Sequence, residues 1–152
     1  MRKILFVIPV AAATLIATAQ LAVAAPHQDR VFGIGSTDTY EARVNVISGP
    51  TGEHPRGSFS IQPTNGQGRD WRVPVTCLHV AGSTAIVGGW DSEAKVAIFL
   101  TIQDNGETGD QMRFTGAGQV FTKPPESQCK ASIPRAAEFS PVISGDFTAT
   151  DV

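Results

Sequence analysis

Apolar and polar positions alternate with a period of two over several short stretches of this 152-residue chain. The clearest runs from Ala94 to Gln103, where Val96, Ile98, Leu100 and Ile102 interleave with Lys95, Ala97, Phe99 and Thr101. Successive side chains of extended backbone point to opposite faces, so this period predicts a strand. Shorter runs at Glu41–Ser48 (Ala42, Val44, Val46) and Gly57–Gln62 (Phe59, Ile61) predict two more. Asp70–Val80 places Trp71, Val73, Val75 and Cys77 on one face, and Pro74, which has no N–H for a ladder, implies an edge position or a bulge there. Further strands are expected at Thr84–Trp90, at Gln111–Phe114 with Gln119–Phe121, and at Asp146–Asp151.

Turn chemistry separates these runs: Gly49-Pro50-Thr51-Gly52, Asn65-Gly66, Ala81-Gly82-Ser83, Gly88-Gly89 and Asn105-Gly106. Gly and Asn supply the positive φ angles of tight turns. Hairpins are expected to close through Thr64–Gly68 and Ala81–Ser83. No stretch holds helical periodicity for three turns; the best candidate is the single turn Pro134–Phe139. The fold class is therefore all-β, an antiparallel sandwich or partly open barrel of about seven or eight strands.

The first 24 residues follow a different pattern. Arg2 and Lys3, an apolar stretch from Ile4 to Ile16, and the small-residue end Ala22-Val23-Ala24 form the three-part layout of a cleaved secretory signal. Pro9, Thr14, Thr18 and Gln20 suit a permanent membrane span of roughly 20 apolar residues poorly. The mature chain is expected to start at Ala25, with a loose tail over residues 25–30 and one domain over residues 31–152, without a membrane span and located outside the cell. It holds 10 basic and 14 acidic residues, a formal charge of −4. That balance argues against nucleic acid as a partner, since such binding rests on clustered Lys and Arg.

Cys77 and Cys129 are the only cysteines. An even count in an exported chain reads as one disulfide, with Cys129 pinning the loop Lys123–Ser132 onto the strand of Cys77.

The most site-like segment is Asp104-Asn105-Gly106-Glu107-Thr108-Gly109-Asp110, which gathers the hard oxygen ligands that Ca²⁺ takes. Asp104, Asn105 and Asp110 are the candidate ligands. The register misses the EF-hand spacing, because Gly106 and Thr108 fall where oxygen ligands belong, so the competing reading is a solvated turn whose Asp104 and Asp110 can be replaced at little cost. No G-x-S-x-G elbow occurs, and His27, His54 and His79 are scattered. Asp38, Glu41, Asp104 and Asp110 offer carboxylates for a glycosidase pair and read equally as loop residues. Trp71 shares an apolar face and belongs to the core, whereas Trp90, beside Asp91, is the candidate exposed aromatic for ligand binding. In Arg69-Asp70-Trp71-Arg72 the basic charge is partly offset by Asp70.

Ser48-Gly49-Pro50 with Gly52-Glu53 and Pro55, then Val75-Thr76-Cys77-Leu78, Ala85–Gly89, Asp104-Asn105-Gly106, Pro141-Val142 and Ser144-Gly145-Asp146-Phe147 together resemble a small domain of exported bacterial proteins, the domain that in some of them follows a choice-of-anchor-P segment. The resemblance implies a compact β domain with a strand-borne cysteine and brings no catalytic or ligand-binding residue with it. The sequence thus describes a secreted, non-catalytic β module without a required cofactor, acting by surface binding to protein or glycan or as an envelope accessory. Its alternatives are a small secreted hydrolase and a calcium-dependent adhesion or carbohydrate-binding module.

Overall fold

The computed structural model of the chain describes residues 27–119, 122–131 and 138–152. Its strands are β1 (Asp29–Ser36), β2 (Tyr40–Ser48), β3 (Arg56–Pro63), β4 (Trp71–Ala81), β5 (Thr84–Asp91), β6 (Val96–Gln103), β7 (Gln111–Gln119), β8 (Ser140–Pro141) and β9 (Ser144–Thr150), with one helical turn, α1 (Gln128–Ala131). All pair antiparallel in a single sheet of order β8-β7-β6-β5-β4-β3-β2-β1-β9. Of the two expected architectures, the partly open barrel is the one formed: the sheet curls into a half-barrel. The leader (residues 1–24), the Pro134–Phe139 turn up to residue 137, and residues 120–121 of the expected Gln119–Phe121 strand lie outside the described residues.

Curling follows from chain length. β1 to β7 form a meander, yet β8 and β9 add to opposite edges of the sheet although only Val142 and Ile143 separate them. Extended chain spans about 3.3–3.6 Å per residue, so the edges of β7 and β1 come within roughly 10 Å at this end. The connector is fixed to both: Val142 N–H donates to the Asp110 carbonyl at 2.9 Å, and Ile143 N–H to that of Ser36 at 2.8 Å. Tyr40, opening β2, reaches across the same gap. Its hydroxyl donates to the Met112 carbonyl at 3.3 Å and accepts from Phe114 N–H at 2.8 Å, while its ring stands edge-on to that of Phe114 at 5.9 Å. Burial raises the pKa of its phenol, partly countered by the Phe114 N–H and by Arg113.

The concave side holds the core, with Val31, Val44, Phe59, Ile61, Leu78, Val87, Ile98, Leu100, Ile102 and Phe147 among its members. Hiding a side chain such as Phe147 from water stabilises by about 1.5–3 kcal/mol. β4 forms the corner. Its first half, Trp71–Pro74, pairs with β3, and its second half, Val75–Ala81, with β5. Between them Val75 faces Gly89 and Cys77 faces Gly88, so Thr76 is an extra, bulged residue. Pro74 therefore stands next to a bulge, one of its two expected settings.

That bulge corrects the expected face of Cys77. Val73 and Val75 are in the concave core and Trp71 packs against it, but after Thr76 the alternation inverts: Leu78 and Val80 point inward and Cys77 outward. On the convex side Cys77 meets Ile86, Ala97, Phe99 and Cys129 in a second, smaller cluster beneath α1. The Cys77–Cys129 disulfide joins them with a Cα–Cα distance of 5.7 Å. β5 and β6 are thus buried on both faces.

Two further differences have physical causes. Gly88-Gly89 forms no turn; it lies inside β5, where a Cβ on Gly88 would collide with both disulfide sulfurs and one on Gly89 with Val73 and Phe59. These glycines provide space rather than positive φ, whereas Gly82, at φ 57° in the Ala81–Thr84 hairpin, provides the φ that its turn requires. β1 also takes up Asp29 and Arg30, placed in the tail by the sequence, with Asp29 buried.

The disulfide ties α1 to the bulged strand. Cys129→Ser is expected to cost about 2–5 kcal/mol, read as a clear fall in melting temperature by circular dichroism.

Candidate functional site

The Asp104–Asp110 loop encloses a 3-10 turn, Gly106–Thr108, between β6 and β7. Two of its three carboxylates, Asp104 and Asp110, are bound into the fold, while Glu107 is exposed. Asp110 is 5% exposed; one oxygen accepts Asn105 N–H at 3.0 Å and the other Phe147 N–H at 2.7 Å. Asp104 accepts Gly106 N–H at 3.1 Å and Ala149 N–H at 3.0 Å. Asn105 donates its side-chain amide to the Gly109 carbonyl at 3.1 Å. Phe147 and Ala149 belong to β9, and these N–H groups lie on its side away from β1. The two aspartates thus occupy the place of a neighbouring strand. The loop is the expected turn, exposed over 106–109, but Asp104 and Asp110 are not its solvated members: each of their four carboxylate oxygens holds a backbone N–H.

Beyond β9, Asp151 accepts Gly82 N–H at 2.8 Å, and the Val152 N–H points toward the buried Asp29 carboxylate. Burial raises the pKa of Asp29; Asp151 and Glu53 push the same way, whereas the Val152 N–H and His79 oppose it. His79 lies near this carboxylate, yet Asp29 is 1% exposed and offers no face to a substrate. His27 and His54 are exposed. Among the described residues no three His, Cys, Asp or Glu side chains stand where they could share a metal ion. Of the remaining glycosidase candidates, Glu41 is bound to Arg43 at 2.8 Å, and Asp38 takes the Thr64 hydroxyl on its backbone carbonyl at 2.8 Å.

Both tryptophans are half-buried and capped by cations. Lys95 Nζ lies 5.4 Å above the Trp90 ring, so this candidate is a covered side chain rather than an open platform. Arg69 stacks at 4.4 Å on Trp71 and pairs with Asp91 at 2.8 Å. The Ala94 N–H first, then the Glu93 N–H and Arg69, hold the Asp91 carboxyl below its usual range.

The convex face of β1 to β4 is different. Phe32 and Ile34, two residues apart on β1, are 44% and 46% exposed. Pairing register lines up Phe32, Asn45, Ser58 and Pro74 in one row and Ile34, Arg43, Ser60 and Arg72 in the next. A third row carries Arg30, Ile47 and Arg56. An open trough of about 600 Å³ lies over the second row, walled by Ile34, Arg43, Asn45, Ser60, Asp70 and Arg72. It continues past Phe32 and Arg30 into a second depression of about 410 Å³. The sequence did not reveal this face, because its residues come from four strands and each reads locally as the polar half of an alternation.

Two outcomes are expected from the clamp. Asp110→Ala leaves the Phe147 N–H without an acceptor and should lower stability by about 1–3 kcal/mol in thermal or urea melts. Asp29→Asn keeps the shape of the side chain and removes a buried charge. Because the folded carboxyl titrates above its unfolded value, its penalty is present at neutral pH and fades as the group protonates. The variant should melt higher than the parent at pH 7, and the gain should vanish below about pH 4. No known protein family, curated protein or solved structure matches this chain.

Proposed function

We propose that this chain is an exported, non-catalytic β module that binds its target through the convex face of β1 to β4. The observation that carries the reading is the exposure of Phe32 and Ile34 side by side over a trough lined with polar side chains. Most large apolar side chains among the described residues are withdrawn into the two clusters, so an exposed adjacent pair is a departure that the fold itself does not require. The ladder bonds of β1 to β3 are satisfied within the sheet, and recognition here rests on side chains. Export is supported by the signal-like residues 1–24 and by the Cys77–Cys129 bridge, which persists in oxidising compartments. Among the described residues no helix is long and apolar enough to cross a membrane. The resemblance to small domains of exported bacterial proteins supports a role at the cell envelope.

The test is a double variant, Phe32→Ser with Ile34→Ser, screened beside the parent on arrays of glycans and immobilised peptides. Both side chains are exposed, so the melting temperature should change little. Every ligand retained by the parent should be lost or at least tenfold weaker in the variant. Undiminished retention by the variant, or turnover of an ester, peptide or glycoside substrate by the parent, overturns the reading.

A further inference from the structure

We propose that the ligand of this face is a carboxylated polysaccharide, a chain of the uronate type; the inference rests on the binding reading above and assigns its chemistry. Four arginines, Arg30, Arg43, Arg56 and Arg72, come one from each of β1 to β4 and share the convex side, on a chain whose formal charge is −2 overall. Register places Arg43 and Arg72 on either side of Ser60, two strand spacings or about 10 Å apart. Arg43 binds Glu41 through Nε at 2.8 Å, and its terminal nitrogens carry no partner among the described residues. Among the described residues Arg56 and Arg72 enter no ion pair. Arg30 lies 5.7 Å above the ring of Phe32. A guanidinium fork matches the planar, two-oxygen geometry of a carboxylate, which a lysine cannot do.

What lies between the arginines narrows the class. Asn45, Ser58, Ser60 and Gln62 present short neutral donors and acceptors that make no side-chain hydrogen bond within the described protein. Such groups suit hydroxyls spaced along a chain. Ile34 and Phe32 provide an apolar flank for the C–H face of a sugar ring. An acidic peptide in extended form adds to a sheet edge through its backbone, and this face offers paired strands instead. A lipid surface calls for a broader apolar patch than two side chains.

Isothermal titration of the parent against polygalacturonate, at two salt concentrations, tests the proposal, with dextran, dextran sulfate, poly-glutamate and phosphatidylglycerol vesicles as comparison probes. Polygalacturonate should bind, and more weakly at the higher salt. Arg43→Ala and Arg72→Ala should each weaken it about tenfold or more, since each removes a charged hydrogen bond. Arg113→Ala on β7, whose side chain pairs with Glu138 and is not on β1 to β4, should leave binding unchanged. Absence of polygalacturonate binding overturns the proposal. So does equal or tighter binding of dextran sulfate, poly-glutamate or vesicles, or indifference to both arginine variants. Dextran binding that is lost in the Phe32→Ser/Ile34→Ser variant overturns the anionic ligand while leaving the face as the binding site.

Discussion

A curled sheet that stops short of closing has two edges to satisfy, and the fold of this chain depends on how it satisfies them. On the β9 side, Asp110 and Asp104 present carboxylate oxygens to the Phe147 and Ala149 N–H groups. On the β7 side, a single tyrosine hydroxyl serves both Met112 and Phe114. Buried backbone donors left unpaired cost as much as the bonds they lose. Closure by side chains therefore does what a tenth strand would do, and it also denies the β9 edge to pairing with another molecule. Everything inward of it, Phe147 above all, stays packed because that seam holds.

The strands were legible in the sequence because each carries its own period, Val96 to Ile102 being the clearest case. What the period could not carry was its own interruption. One extra residue at Thr76 turns Cys77 to the opposite face, and nothing in Val75-Thr76-Cys77-Leu78 marks the inversion except the neighbouring Pro74. The disulfide followed from count and compartment rather than from geometry, and so it was unaffected by the error of face. The 104–110 loop shows the reverse. Its composition suggested ligands for an ion, but the acceptors were needed for donors on β9, some forty residues later in the chain.

The arginine-bearing face was not visible for a related reason. Arg30, Arg43, Arg56 and Arg72 stand on four successive strands with a turn between each, so no single strand of the sequence carries two of them. The one basic cluster the sequence does display, Arg69 to Arg72, is largely spent: Arg69 is stacked on Trp71 and paired with Asp91, leaving only Arg72 to the face. Charge that is scattered along the chain becomes local only through register.

At the middle of β5 the sheet is pressed from both sides, by the disulfide sulfurs against Gly88 and by Phe59 and Val73 against Gly89. Neither position can acquire a side chain without moving a neighbour that is itself fixed. The convex surface of β1 to β4 is under less restriction, since side chains such as Phe32, Ile34 and Arg56 are exposed to solvent. Substitution is therefore channelled: a rigid hub around Gly88 and Gly89 that admits almost no change, and an outer face of β1 to β4 where exposed side chains can be exchanged without disturbing the scaffold.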